Sequence, residues 1–345
     1  MLDTRRMPTP RWDAAAGDAP LSPKPQMTDE SHKPFTLGTR GSELALVQAS
    51  TTEAALQKVF PDLHIARCII KTTGDRRTDV ALADVAKAEG IFDNGVFIKE
   101  LEQALDEGSI DIAVHSLKDL PTVLQARFAL AAVLERAAIR DVLVTRDDGG
   151  FDALAPGARV GTSSVRRAQQ VAFLRPDLLV VDLRGNVPTR LHKLTAGDHH
   201  DAILLAEAGL VRLGFLPEAP LTYGSEPIPG MPGLFAHRLD EKMFFPAAGQ
   251  GAIGLEIRAT DERSRMLAQS IGHPETWLRI TAEREFLRLL DAGCHTPVGV
   301  FSSLVNGTLH LQARVFPETG GSPLTAAANG TDPLGVALSL FQSLT

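Results

Sequence analysis

Four times along this chain an apolar run ends, one to three Gly, Ser or Thr residues follow, and a basic side chain stands where a helical pattern begins. The four are Leu37-Gly38-Thr39-Arg40-Gly41-Ser42, Val114-His115-Ser116-Leu117-Lys118-Asp119, Val160-Gly161-Thr162-Ser163-Ser164-Val165-Arg166-Arg167 and Leu183-Arg184-Gly185-Asn186-Val187-Pro188-Thr189-Arg190. Open α/β sheets bind ligands off the carboxyl ends of their strands. Helix starts there offer free N–H groups and a partial positive charge, and the hydroxyls of Thr162, Ser163 and Ser164 suit both capping and anion contact.

Charge is concentrated in the same region. Residues 159–193 hold seven Lys or Arg against two Asp, a local +5, while the whole chain carries -7 and the remainder therefore -12. Arginine forks grip carboxylate or phosphate bidentately, so the cluster predicts a small ligand with several anionic groups. Arg175 and Lys193 lie farther along their helices and read as solvent-facing or acid-paired. Arg166, Arg167, Arg184 and Arg190, beside strand ends, read as ligand contacts, with pairing to nearby acids as the other reading.

Asp119 is the second half of the chemistry. A carboxylate among cations stays ionised at neutral pH and can stabilise a cationic intermediate or relay protons; a helix N-cap or a structural salt bridge is its alternative. Cys294, in Gly293-Cys294-His295, follows a helix predicted over Trp277–Asp291. That loop setting suits a reactive or derivatised thiol. Cys68, in an alternating strand, reads as a small buried hydrophobe.

Other patterns are decoys. Gly249-Gln250-Gly251-Ala252-Ile253-Gly254 spells G-x-G-x-x-G, but Phe244-Phe245-Pro246 precedes it and a strand-like Leu255-Glu256-Ile257 follows, whereas dinucleotide binding needs a strand before and a helix after. His199-His200 and His295 lack metal-ligand spacing, so no metal is expected. No Walker A run occurs.

Positioning these residues requires short strands alternating with helices, an α/β architecture with largely parallel sheets. Strands are predicted over 35–38, 63–70, 110–115, 141–145, 159–161, 178–183, 202–205, 252–257 and 298–304, and helices over 43–58, 97–107, 164–175, 189–194 and 277–291. Thr308–Val315 after Asn306-Gly307 signals a hairpin, hence a small C-terminal α+β unit. Residues 1–34 carry six prolines, five basic and five acidic residues and no apolar periodicity, and read as a disordered extension without a secretory signal.

A length of 345 residues predicts two or three domains. The longest apolar run, Phe128 to Leu134, falls far short of the roughly 20 residues needed to cross a bilayer. The acidic total argues against nucleic acid held by bulk positive charge. Two cysteines exclude a disulfide framework and point to a reducing, cytoplasmic setting.

The same motifs, with Leu120-Pro121 after Asp119, Gly249-Gln250-Gly251 and Gly293-Cys294, occur in order across residues 35–345 and resemble the porphobilinogen deaminase (hydroxymethylbilane synthase) family. The resemblance implies two periplasmic-binding-protein-like domains with a cleft between them, residues 35–136 plus about 248–272 and residues 137–247, and a small third domain, 273–345. It implies a transferase that deaminates four porphobilinogen molecules and joins them head to tail on a dipyrromethane cofactor held by Cys294, then releases hydroxymethylbilane with water, in tetrapyrrole synthesis. Asp119 matches the catalytic carboxylate; Lys118, Ser164, Arg166, Arg167, Arg184 and Arg190 match cofactor contacts; Arg40, Ser42, Phe97 and Gln250 match substrate contacts. A monomer is implied. One departure is the lid, where Asn94 stands in place of the expected lysine within an altered segment 84–94; the long loop 216–242 is another. The rival class is a non-catalytic periplasmic-type anion-binding protein.

Overall fold

The computed structural model describes residues 34–73, 95–197, 199–218, 224–291, 296–317 and 321–344. The chain first runs β1 (Phe35–Arg40), α1 (Glu43–Val59), β2 (Ile65–Ile70), α2 (Gly95–Asp106), β3 (Ile112–Ser116), a single 3-10 turn (Leu117–Asp119) and β4 (Phe128–Val133). It continues as β5 (Asp141–Thr145), α3 (Gly150–Ala153), β6 (Arg159–Gly161), α4 (Val165–Leu174), β7 (Leu179–Val181), α5 (Val187–Thr195), β8 (Ala202–Ala206), α6 (Glu207–Arg212), β9 (Ser225–Pro227) and β10 (Phe235–Arg238). It ends with β11 (Ile253–Arg258), α7 (Glu262–Ser270), α8 (Pro274–Leu289), β12 (Val298–Val305), β13 (Thr308–Val315), β14 (Leu324–Gly330) and α9 (Pro333–Gln342).

Three sheets result. The first has the order β2-β1-β3-β11-β4, the second β7-β6-β8-β5-β10-β9, the third β12-β13-β14. β1 is parallel to β2 and β3, and β6 to β7 and β8. β11 enters the first sheet antiparallel between β3 and β4, and β5 enters the second antiparallel between β8 and β10. The chain therefore crosses between the two sheets twice, through 134–140 and 239–252. The result is an α/β fold of two mixed sheets, with a small α+β unit after them. No helix among the described residues is long and apolar enough to cross a membrane.

Local chemistry accounts for most elements. β5 is buried at every residue, its apolar centre Val142-Leu143-Val144 covered on both faces and its ends, Asp141 and Thr145, polar. The hairpin between β12 and β13 turns on Asn306 and Gly307 at φ 49° and 76°, the paired positive values that Asn-Gly tolerates.

Strands β4, β9, β10 and β14 escape the pattern. β4, Phe-Ala-Leu-Ala-Ala-Val, is an unbroken apolar run, which periodicity cannot assign to strand or helix. β9 and β10 lie inside the stretch 216–242 read as loop: β10 pairs with the distant β5 and has buried polar groups, His237 and Arg238, at two of its four positions, and the three-residue β9 pairs only with β10. Cys68 is only partly buried, on edge strand β2. Cys294, the segment 84–94 and nearly all of the extension 1–34 lie outside the described residues, as does the side chain of Phe97.

Candidate functional site

The site begins at the end of β3. Leu117 N–H donates to the Ala252 carbonyl at 3.0 Å and Leu120 N–H closes the turn on the Leu117 carbonyl at 3.1 Å. Leu117 and Leu120 are buried with Trp277 and Ile280 of α8, which leaves the two residues between them, Lys118 and Asp119, half-buried at the surface of that core. Gly249 presses against the turn: a Cβ there would sit 3.1 Å from Lys118 N, and its φ of 73° excludes ordinary side chains. The G-x-G-x-x-G spelling is thus explained by packing. Gly251, φ 84°, passes so close to Ala137 and Ala138 of the other crossing that a Cβ would lie 2.5 Å from the Ala137 carbonyl oxygen.

Opposite stand the ends of β6 and β7. Ser164 caps α4 by accepting from Arg167 N–H, and Asn186 caps α5 by accepting from Thr189 N–H at 2.9 Å. Ser163 Oγ donates to the Leu183 carbonyl at 2.6 Å, joining the two strand-end loops. The first turn of α4 carries Arg166 and Arg167, each 5% exposed. Both grip one buried carboxylate: Arg166 Nη1 donates to Asp141 Oδ2 at 2.7 Å, and Arg167 donates to Asp141 Oδ1 from Nη2 at 2.7 Å and Nε at 3.0 Å. The paired guanidiniums hold the Asp141 carboxyl far below the usual carboxylate range in spite of its burial. One guanidinium charge is left over.

Arg184 and Arg190 complete the basic side. Arg190 Nε donates to the Gly185 carbonyl at 2.8 Å, and burial together with the nearby Arg167 and Arg184 lowers its pKa to about 10, while Asp182 and Asp119 oppose that shift. Arg184 Nε is buried without a hydrogen-bond partner among the described residues, 3.7 Å from Asp182 Oδ2. Across the cleft, burial pulls the Lys118 ammonium down to about 8; Arg166 and Arg167 push the same way, and Asp119 and Asp141 oppose. Lys118 and Asp119 therefore lie within electrostatic reach of Arg166, Arg167 and Arg190, although they come from different sheets. Neither the Lys118 ammonium nor the Asp119 carboxylate hydrogen-bonds a described residue.

Other predicted residues fall elsewhere. Arg40 and Ser42 flank the end of β1, where Ser42 caps α1 by accepting from Ala45 N–H. Gln250 is fully buried and cannot reach an open cleft as placed: its amide donates to the Ile139 carbonyl at 2.7 Å and Asp141 Oδ1 at 3.1 Å, so it braces the two crossings. Arg175 binds Asp177 Oδ1 at 2.8 Å and Lys193 donates to the Arg184 carbonyl at 3.1 Å, both in structural contacts.

Sequence reasoning passed over the residues that hold this arrangement. Arg136 donates to Glu283 Oε1 and Oε2 at 2.5 and 3.0 Å and to the Gln250 carbonyl at 2.9 Å, and Glu283 accepts from Gly249 N–H at 2.8 Å. Arg212 donates to the Gly251 carbonyl at 2.8 Å. Of these only Arg212, in Leu210-Val211-Arg212-Leu213, stands out locally as a charge in an apolar stretch; Arg136 and Glu283 lie among other charged residues.

The arrangement suits a polycarboxylate with N–H donors. Cations line one side, the unshared Asp119 and Lys118 the other, and both crossings lie behind them. Fold and site together define a two-sheet α/β protein with a basic cleft and a small third unit. The chain belongs to the porphobilinogen deaminase family: the family model "Porphobilinogen deaminase, dipyromethane cofactor binding domain" matches residues 35–266, and "Porphobilinogen deaminase, C-terminal domain" matches residues 277–338. Proteins curated as porphobilinogen deaminase are similar along most of their length. The one from Syntrophobacter fumaroxidans is 41% identical over 92% of this chain and 96% of its own. That from Moorella thermoacetica is 42% identical over 89% and 92%, and that from Roseiflexus sp. 41% over 89% and 94%.

Proposed function

We propose that this chain is a hydroxymethylbilane synthase, a transferase that deaminates four porphobilinogen molecules, joins them head to tail and releases the linear tetrapyrrole with water. The observation that carries the reading is Asp119: a carboxylate without a hydrogen-bonding partner among the described residues, beside Lys118 and in the field of Arg167 and Arg190. Pyrrole N–H groups are the donors such a carboxylate lacks. When ammonia leaves the substrate side arm, the positive charge left on the ring is stabilised by the ionised Asp119.

A dipyrromethane fits the same residues. Its four carboxylates match Lys118, the Arg184 guanidinium with its unpartnered Nε, Arg190 and the surplus charge of the Arg166–Arg167 pair, with Ser164 at the start of α4. Held covalently on Cys294, it supplies the pyrrole carbon to which the first substrate joins. Arg40 and Ser42 at the end of β1 and Phe97 in α2 are the substrate-side contacts in this reading, while Gln250 orients the crossings. The domain limits that go with it are 35–136 plus about 248–272, 137–247 and 273–345, the last carrying Cys294, in a monomeric cytoplasmic enzyme.

The test is an intact mass spectrum of protein produced with porphobilinogen available. The expected mass exceeds the polypeptide by one dipyrromethane unit, the increment is absent in Cys294→Ala, and the loaded protein converts porphobilinogen to hydroxymethylbilane. A wild-type mass equal to the bare polypeptide sinks the reading.

A further inference from the structure

Arg284 is a buried arginine without an acid. It is 4% exposed, and no carboxylate among the described residues lies within ion-pair distance of it. Instead its guanidinium is spent on one stretch of backbone: Nη1 donates to the Leu120 carbonyl at 3.1 Å, and Nη2 to those of Pro121 and Thr122, the latter at 3.2 Å. Nε makes no hydrogen bond to a described residue. Burial lowers its pKa to about 10, with only Glu256 opposing. A charge buried on neutral carbonyls is an expensive way to hold a loop, and an apolar side chain of similar volume would serve packing as well or better.

What it holds is the far side of the Asp119 turn, 164 residues earlier in the chain. The near side is held from the preceding residue of the same helix: Glu283 accepts from Gly249 N–H at 2.8 Å, and Gly249 lies against Lys118 N. Trp277 and Ile280 bury Leu117 and Leu120 one and two turns earlier. Helix α8 thus reaches the turn from both ends, and the chain arrives at Cys294 five residues after α8 stops.

We propose that Arg284 is a positioning residue for Asp119: it ties the far side of the carboxylate turn to α8, as its own sheet ties the near side, and so fixes where the carboxylate stands. The inference rests on the functional reading above. It differs from a packing role in what it expects of an apolar replacement. Misplacing a catalytic group by about 1 Å reduces rate by about 100-fold without touching binding.

The experiment compares loaded wild type, Arg284→Met and Arg284→Lys by intact mass, hydrogen exchange and steady-state kinetics. Arg284→Met is expected to fold and load, with kcat lowered about 10- to 100-fold and KM nearly unchanged. Its backbone amides over 117–122 are expected to exchange faster while the rest of the first sheet does not. Arg284→Lys, keeping one donor group, falls between, and it decides the matter by the same readouts if the Met variant fails to fold. A folded, loaded variant with wild-type kcat and wild-type exchange over 117–122 overturns the proposal. A wild type that neither loads nor turns over sinks the functional reading instead, which the exchange comparison does not depend on.

Discussion

Arg167 Nη2 lies 2.7 Å from Asp141 Oδ1, and this pair sits where the second sheet begins, on the strand that follows the first crossing. The Gln250 amide, on the second crossing, reaches the same oxygen at 3.1 Å. The start of α4, with its two arginines, is therefore referenced to both crossings through one carboxylate. Asp141 sets where the basic wall stands relative to Lys118 and Asp119.

Replacing Asp141 by Asn leaves two guanidiniums buried against a neutral amide. Removing one member of a buried pair destabilises by about 3–5 kcal/mol, and urea unfolding at neutral pH should show a loss of that order. Because the folded-state pKa is depressed, the contribution is present above the ordinary carboxylate range and is lost only as pH falls through and below it. The gap between wild type and Asp141→Asn should therefore narrow in acid; a gap that stays constant down to the acid transition would contradict the assignment.

Asp119→Asn preserves the shape of a half-buried side chain that bonds no described residue, so unfolding midpoints should match wild type. In the proposed reaction its charge stabilises the developing cation. Turnover of porphobilinogen should fall by about 100-fold or more, with a single dipyrromethane still present by mass. An unaffected kcat would show that another group stabilises the developing cation.

Burial, with a smaller push from the facing arginines, lowers the Lys118 ammonium to about 8. Below that value it is an ammonium and adds to the hold on the carboxylates of the cofactor and of the chain growing on it; above it the site has one cation fewer. The profile of kcat/KM, which reports the free enzyme, should decline above about pH 8. Arg stays charged at that position, so Lys118→Arg should lack the inflection. Identical alkaline limbs would exclude Lys118 as its source.

Glu102 on α2 is the opposite case. Burial and the neighbouring Glu256 raise its carboxyl to about 7, against the weaker pull of His115, Arg127 and the Gln125 amide at 2.9 Å. The folded state then holds a proton that the unfolded state releases near the ordinary glutamate value, so stability is greatest in mild acid and declines as pH rises from about 4.5 to about 7. Glu102→Gln should remove this decline and be more stable than wild type at pH 8, by about 1–3 kcal/mol from the size of the shift. Thermal unfolding midpoints across pH 5–8 measure it; parallel curves for the two proteins would refute it.

Much of the fold could be read locally. The ends of β1, β3 and β6 and the caps Ser42, Ser164 and Asn186 follow from short-range rules, because a cap and its partner are three residues apart. β4 and β10 were missed for a common reason: what makes them strands is a neighbour, β11 or β5, more than ninety residues away. Gln250 was placed at the substrate because its motif is local, whereas its amide is spent on Ile139 and Asp141, contacts that only the meeting of two crossings creates.

By itself, then, the sequence determined the composition of the cleft: cations at strand ends, one carboxylate after Lys118, and hydroxyls and glycines where helices start. These are properties of residue type and spacing of a few positions. Only the tertiary structure decided which charges are shared. Arg166 and Arg167 are half-neutralised by Asp141, Glu283 and Arg136 tie the two crossings together, and the Asp119 carboxylate hydrogen-bonds no described residue. Whether a charge serves a ligand or the fold depends on the groups within about 4 Å of it, and in a chain that crosses twice between sheets those groups come from positions that no local pattern links.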